Sequence, residues 1–159
     1  MATLPQLIED DIRQLDEALR QLLKSSDATC ALVIDNGGFL ITHAGEAENF
    51  DLTTIAALAS GAYLANQTIA NLVQEENFNS VYQQGEKFSI FGTRINDDSL
   101  LLTIFESRAS VGAVKYFSAS AVRRIAAQLV IAYERDPGNG LDLSMLNVAD
   151  TAGFFKKKA

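Results

Sequence analysis

The chain has 159 residues, 48% hydrophobic and 21% charged, with two prolines and one cysteine. Those proportions describe one soluble globular domain and exclude a collagen, a disulfide scaffold and a wholly disordered chain. Thirteen basic and 20 acidic residues leave a net charge of −7, which argues against nucleic acid or an anionic membrane as the main partner.

The acidity is uneven. Residues 1–60 carry 10 acids and 3 bases, residues 61–136 carry 8 and 7, and residues 137–159 carry 2 and 3. No stretch reaches the roughly 18 apolar residues that span a bilayer, and the acidic N-terminus lacks the basic region of a signal peptide. The expectation is a cytoplasmic protein with no membrane insertion.

A first helix is predicted over residues 4–24. Thr3 is the candidate cap, Pro5 suits a first turn, and Leu4, Ile8, Ile12, Leu15, Leu19 and Leu22 recur at helical spacing. A hairpin follows: the apolar runs Cys30–Ile34 and Phe39–Thr42 flank Asp35-Asn-Gly-Gly38, whose glycines favour positive φ. The unbroken first run implies a strand buried on both faces.

A second helix is predicted over Leu52–Glu75, with caps available from Asp51, Thr53 and Thr54. Ile55, Leu58, Ala59, Ala62, Asn66, Ile69 and Val73 mark its expected core stripe. Ala57, Gly61, Leu64, Thr68 and Asn71 fall on the opposite face. That face is small and partly apolar. It either docks another helix, is covered by the chain's own tail, or simply carries scattered exposed apolar residues. Gly61 in mid-helix costs roughly 1 kcal/mol against alanine, so a packing reason is expected.

Three short strands come next, Val81–Gln84, Lys87–Ile95 and Ser99–Glu106, the last apolar on both alternations. A third helix runs to about Glu134, with Val114, Ser118, Val122, Ile125, Leu129 and Tyr133 on its core face. Asp136-Pro-Gly-Asn-Gly140 ends it. The order α-β-β-α-β-β-β-α defines an α+β domain over residues 1–135, followed by a flexible tail over 136–159. Two doubly buried strands require helices on both sides of the antiparallel sheet.

Catalytic signatures are weak. His43 has no second histidine or serine elbow to work with. Cys30 lies in the most apolar strand, where a thiolate is not activated. Gly37-Gly38 is a turn and not a phosphate loop. Glu46, Glu48 and Asp51, like Asp97-Asp98, lack metal-site spacing. Arg108, between a buried strand and a helix, either reaches across an interface to a phosphate or carboxylate, or caps local carbonyls or pairs with Glu106. Lys156–Lys158 follow Phe154-Phe155 at a solubilising end. The expectation is no catalytic residue, no metal and no cofactor.

Ala31-Leu-Val-Ile-Asp-Asn-Gly-Gly-Phe-Leu-Ile41 with Ala44-Gly45, Asp51-Leu-Thr-Thr-Ile-Ala-Ala-Leu-Ala-Ser-Gly61, Gln84-Gly-Glu-Lys-Phe88, Leu100–Phe105 and Arg108-Ala-Ser-Val-Gly-Ala-Val114 stand in order along the chain. This ordered set, spanning about residues 5–134, resembles the roadblock (dynein light chain roadblock) family, nearest its bacterial MglB-like branch. The resemblance implies a five-stranded antiparallel sheet with the second helix on one face and the first and third on the other. It implies a homodimer joined through the third strand, at Val81, Tyr82, Gln83 and Gln84, with the second helices side by side at Ala62 and Ala65.

It also implies a docking platform for a small Ras-like GTPase at Ala57, Gly61, Leu64, Thr68 and Asn71. MglB-like proteins accelerate GTP hydrolysis by an MglA-type partner by repositioning its own residues, which makes Arg108 structural. Such a protein is not itself an enzyme; it regulates, and activates, the GTPase. The tail residues Leu143, Met145 and Leu146 are candidate GTPase contacts. One departure is Leu64-Ala-Asn-Gln-Thr68, bulkier than the alanines and glycines of activating relatives, so fold and dimer carry over better than activation. The rival reading is a non-catalytic dimeric adaptor. A small-molecule sensor is a third, disfavoured by a sheet closed on both faces.

Overall fold

The computed structural model describes residues 4–135. The candidate cap Thr3 and the tail over 136–159, with Leu143, Met145, Leu146 and Lys156–Lys158, lie outside the described residues. The elements are α1 (Glu9–Ser26), β1 (Cys30–Asp35), β2 (Leu40–Gly45), α2 (Leu52–Leu72), β3 (Ser80–Gln83), β4 (Phe88–Asn96), β5 (Ser99–Glu106) and α3 (Val111–Arg135). Every neighbouring pair in the sheet is antiparallel, and the strand order is β2-β1-β5-β4-β3.

Strands β1 and β5 are the middle of the sheet, and every residue of β1 is buried. Their alternation sends Cys30, Leu32, Ile34, Leu100, Leu102 and Ile104 to one face, where Leu52 and Ala56 of α2 meet them. Ala31, Val33 and Leu101 point the other way, into a core with Leu15, Leu19 and Leu22 of α1 and Ile125 and Leu129 of α3. The layers are therefore α2, sheet, then α1 with α3, as the doubly apolar strands require.

Helix α1 starts later than its apolar spacing suggests. Leu4 is buried, residues 5–8 are irregular, and the helix opens at Glu9 with Ile8 half exposed. The reason is Asp11. Its carboxylate accepts the Ile8 N–H at 2.9 Å, which caps the first turn from the third helical position. The same carboxylate accepts Nε2 of Gln128 at 2.7 Å and both terminal nitrogens of Arg135 at 2.8 and 3.0 Å. It ties the start of α1 to the end of α3, and it is fully buried.

In α3, Ala132 takes the core position expected of Tyr133, which is half exposed. Strand β2 runs three residues past its expected end, to Gly45, because Thr42, His43, Ala44 and Gly45 pair with Val33, Leu32, Ala31 and Cys30.

The Arg135 guanidinium holds the Asp11 carboxyl down to about 2, aided by the Ile8 amide and Gln128. Its folded pKa lies below the unfolded value, so its contribution is complete above pH 3.8 and is lost as pH falls through about 2. A shift of that size is worth about 2 kcal/mol. Asp11→Asn is expected to lower the unfolding free energy at neutral pH by about 2–3 kcal/mol. It should also flatten the acid limb of stability against pH in that window. Urea titrations at several pH values check both, and an unchanged acid limb would remove Asp11 as its source.

Candidate functional site

Helix α2 contains no Asp, Glu, Lys or Arg in 21 residues, yet one side of it is open to solvent. Asp51 caps it, accepting the Thr54 amide at 3.1 Å and the Thr54 hydroxyl at 2.6 Å; these bonds hold the Asp51 carboxyl below its usual range. Its N-terminal half is seated by the β1–β2 turn. The Ser60 hydroxyl donates to the carbonyl of Asn36 at 2.6 Å, and the Asn36 amide donates to Asp98 at 2.9 Å in the β4–β5 turn. Gly38 has φ +90, and a Cβ there would stand 3.1 Å from the Cα of Ala57. Glycine is required at that turn both for its left-handed backbone and for the closeness of the helix.

The buried residues of α2 are Leu52, Ala56, Ser60 and Ala70. This corrects the expected core stripe by about one position around the helix. Ile55, Ala59 and Asn66 are only partly buried, while Leu58, Ala62, Ile69 and Val73 are exposed. Leu58 is 68% exposed, Ile69 48% and Leu72 79%. With Ala62 and Ala65, they form a stripe at spacings of four and three that faces away from the sheet.

Ala57, Gly61, Leu64, Thr68 and Asn71 are all exposed, but on a flank between the core side and the outward stripe and not opposite the core; Ala57 at its start lies against Gly38 of the β1–β2 turn. Gly61 has no atom of the rest of the chain within 4 Å of where a Cβ would stand. The packing reason expected for it is not found inside the described chain.

Strand β3 is one edge of the sheet and, among the described residues, pairs only with β4, Val81 opposite Gly92 and Gln83 opposite Ile90. Val81 is partly buried, Tyr82, Gln83 and the following Gln84 are exposed, and the Tyr82 ring stacks on Phe105 at 6.1 Å. Between α2 and β3–β4 lies a cleft of about 60 Å³ lined by Tyr63, Asn66, Val81, Ile90 and Gly92 among others. Metabolite pockets are several-fold larger, about 300 Å³ or more, so this cleft is a seam between elements and not a ligand cavity. The Tyr63 hydroxyl is buried there with no hydrogen-bond partner among the described residues.

The remaining candidates stay apart. Arg108 is exposed and paired with Glu106. Cys30 is buried, and desolvation pushes its thiol up to about 11, so it is not a nucleophile at neutral pH. His43 is exposed on β2. Among the described residues no group of three or more His, Cys, Asp or Glu is placed to hold a metal ion, and no helix is long and apolar enough to cross a membrane.

A model of the Roadblock/LC7 domain matches residues 14–105, more than half of the sequence. The chain belongs to the Roadblock/LC7 family. Solved structures agree within it. An MglB described with a tetrameric arrangement superposes with a TM-score of 0.78 at 26% identity, covering 83% of this chain and 99% of that one. The gliding protein MglB of Thermus thermophilus gives 0.76 at 26% identity over 82% and 99%. MglB of Myxococcus xanthus gives 0.75 at 26% identity over 80% and 96%. Within the family the likeness is to the MglB-like branch. No curated protein matches the sequence significantly.

The roadblock sheet and its α2 depend on the Gly38 contact. Gly38→Val is expected to cost about 2 kcal/mol by combining backbone strain with a clash at Ala57. Urea unfolding measures it, and an unchanged midpoint would mean that the turn does not seat the helix.

Proposed function

We propose that this roadblock protein forms a homodimer that binds and regulates a small Ras-like GTPase of MglA type. The observation that carries the reading is α2: uncharged over 21 residues and exposing Leu58, Leu64, Ile69 and Leu72. A surface helix ordinarily turns charge to water. Covering side chains this exposed contributes on the order of 1–2 kcal/mol each.

In this reading three surfaces share the work. The open edge of β3 at Val81, Tyr82, Gln83 and Gln84 pairs with the same strand of a second copy, extending the sheet. The outward stripe through Ala62 and Ala65 then packs against its counterpart, small residues allowing close approach. The flank at Ala57, Gly61, Leu64, Thr68 and Asn71 stays open beside that seam and receives the GTPase. The protein contributes no nucleotide site. It acts by holding the GTPase's own catalytic groups where charge develops during phosphoryl transfer. Arg108, tied to Glu106, is not an arginine finger. The bulk of Leu64 and Gln67 favours a second reading, a dimeric adaptor that binds without accelerating hydrolysis.

Single-turnover GTP hydrolysis by each Ras-like GTPase of the source genome, with and without this protein, separates the two. Acceleration of about tenfold or more, roughly 1.4 kcal/mol off the barrier, is expected of the activator. None from a folded dimer gives the adaptor. Ile69→Arg is expected to yield monomers in sedimentation. Leu64→Arg and Gly61→Arg should keep the dimer and lose the GTPase; undiminished affinity in both would remove that flank from the proposal.

A further inference from the structure

The layer opposite α2 has a different surface. Helices α1 and α3 run antiparallel, since Asp11 meets Arg135 while Glu17 meets Arg124 at 3.7 Å. A groove of about 170 Å³ follows their seam, with Phe117 and Ala121 among its lining residues and Arg124 at its side. It continues past Arg124 into a depression of about 280 Å³ lined by Arg20, Lys24 and Glu17. Three cations thus stand around one carboxylate, in a chain of net charge −7. Glu17 already engages Arg124, which leaves Arg20 and Lys24 without an ion pair among the described residues. Lys24 also borders the loop groove that holds Glu46, Glu48 and Glu106.

We infer that this groove is a second docking site, taking an acidic amphipathic segment of a partner protein. The charge selects the partner, and rim cations of this kind govern encounter and salt dependence. The concave seam with an aromatic side chain in its lining selects a helix or strand with an apolar anchor over a flat lipid surface. The site lies across the sheet from α2, so its occupation leaves the proposed dimer and GTPase surfaces free. It does not depend on the GTPase reading.

The probe is a fluorescein-labelled amphipathic helix of leucine, alanine and glutamate, titrated into the full chain at low ionic strength and followed by anisotropy. Saturable binding that weakens with salt is expected. Arg20→Glu/Lys24→Glu should weaken it about tenfold or more, whereas Lys115→Glu/Arg123→Glu, which reverses charge on α3 outside the groove, should change it less than about twofold. The first pair leaves Glu17–Arg124 intact, and thermal melts confirm that both variants fold. Amide and aromatic NMR shifts should move at Phe117 and Ala121. The proposal is overturned by no saturable binding, by equal losses in the two variants, by shifts confined to α2 and β3, or by binding to phosphatidylglycerol vesicles in place of the peptide.

Discussion

Strands β1 and β5 are apolar on both alternations, and everything else in the fold answers that constraint. A strand buried on two faces cannot lie on a surface, so each face of the sheet must carry a layer. Among the described residues, two helices cover one face and one covers the other. The uneven cover leaves β3–β4 thinly roofed on the α2 side, with a narrow cleft where a second helix would complete the layer. The same arithmetic leaves β3 as an edge with exposed Tyr82 and Gln83. Natural edges are usually blunted by charge, proline or a bulge. Ser80–Gln83 has none of these.

Most of this was legible in the sequence, for identifiable reasons. The hairpin was marked by Asn36-Gly37-Gly38, of which Gly38 takes the positive φ, β1 by its unbroken apolar run and β5 by apolar residues on both alternations. The phase of α2 was not legible. A helix is oriented by contrast between an apolar and a charged face, and this one has no charge to mark its outside. Leu58 and Ile69 look like core residues because they are apolar; within one chain they are not buried. The misplaced start of α1 has a different cause. Leu4 and Ile8 continue the apolar spacing, but the cap is supplied by Asp11, whose other partners lie 117 and 124 residues away. No local pattern carries such a contact.

The charge distribution sorts the surface by function more sharply than the total does. α1 brings most of its acids to its first turn, where they suit the helix dipole. α2 has no charge, and α3 has four bases and one acid. A neutral helix face on one side of the sheet and a cation-lined groove on the other would, as proposed, suit partners of different chemistry.

The way α2 is held bears on how such a platform works. Its first half is fixed: Asp51 caps it, Leu52 and Ala56 are buried, Ser60 is bonded to the turn, and Ala57 rests on Gly38. Beyond Ser60 only Ala70 is buried, and the Tyr63 hydroxyl faces the cleft unsatisfied. The second half is held more sparsely, by Ala70 and by the Gln67 side-chain amide donating to Asn77 at 3.0 Å, while the outward stripe along the helix stays uncovered within one chain. Two copies meeting there would close the cleft over β3–β4 and bury the exposed leucines. Under the proposed dimer, docking on the flank would then be coupled to assembly at the seam.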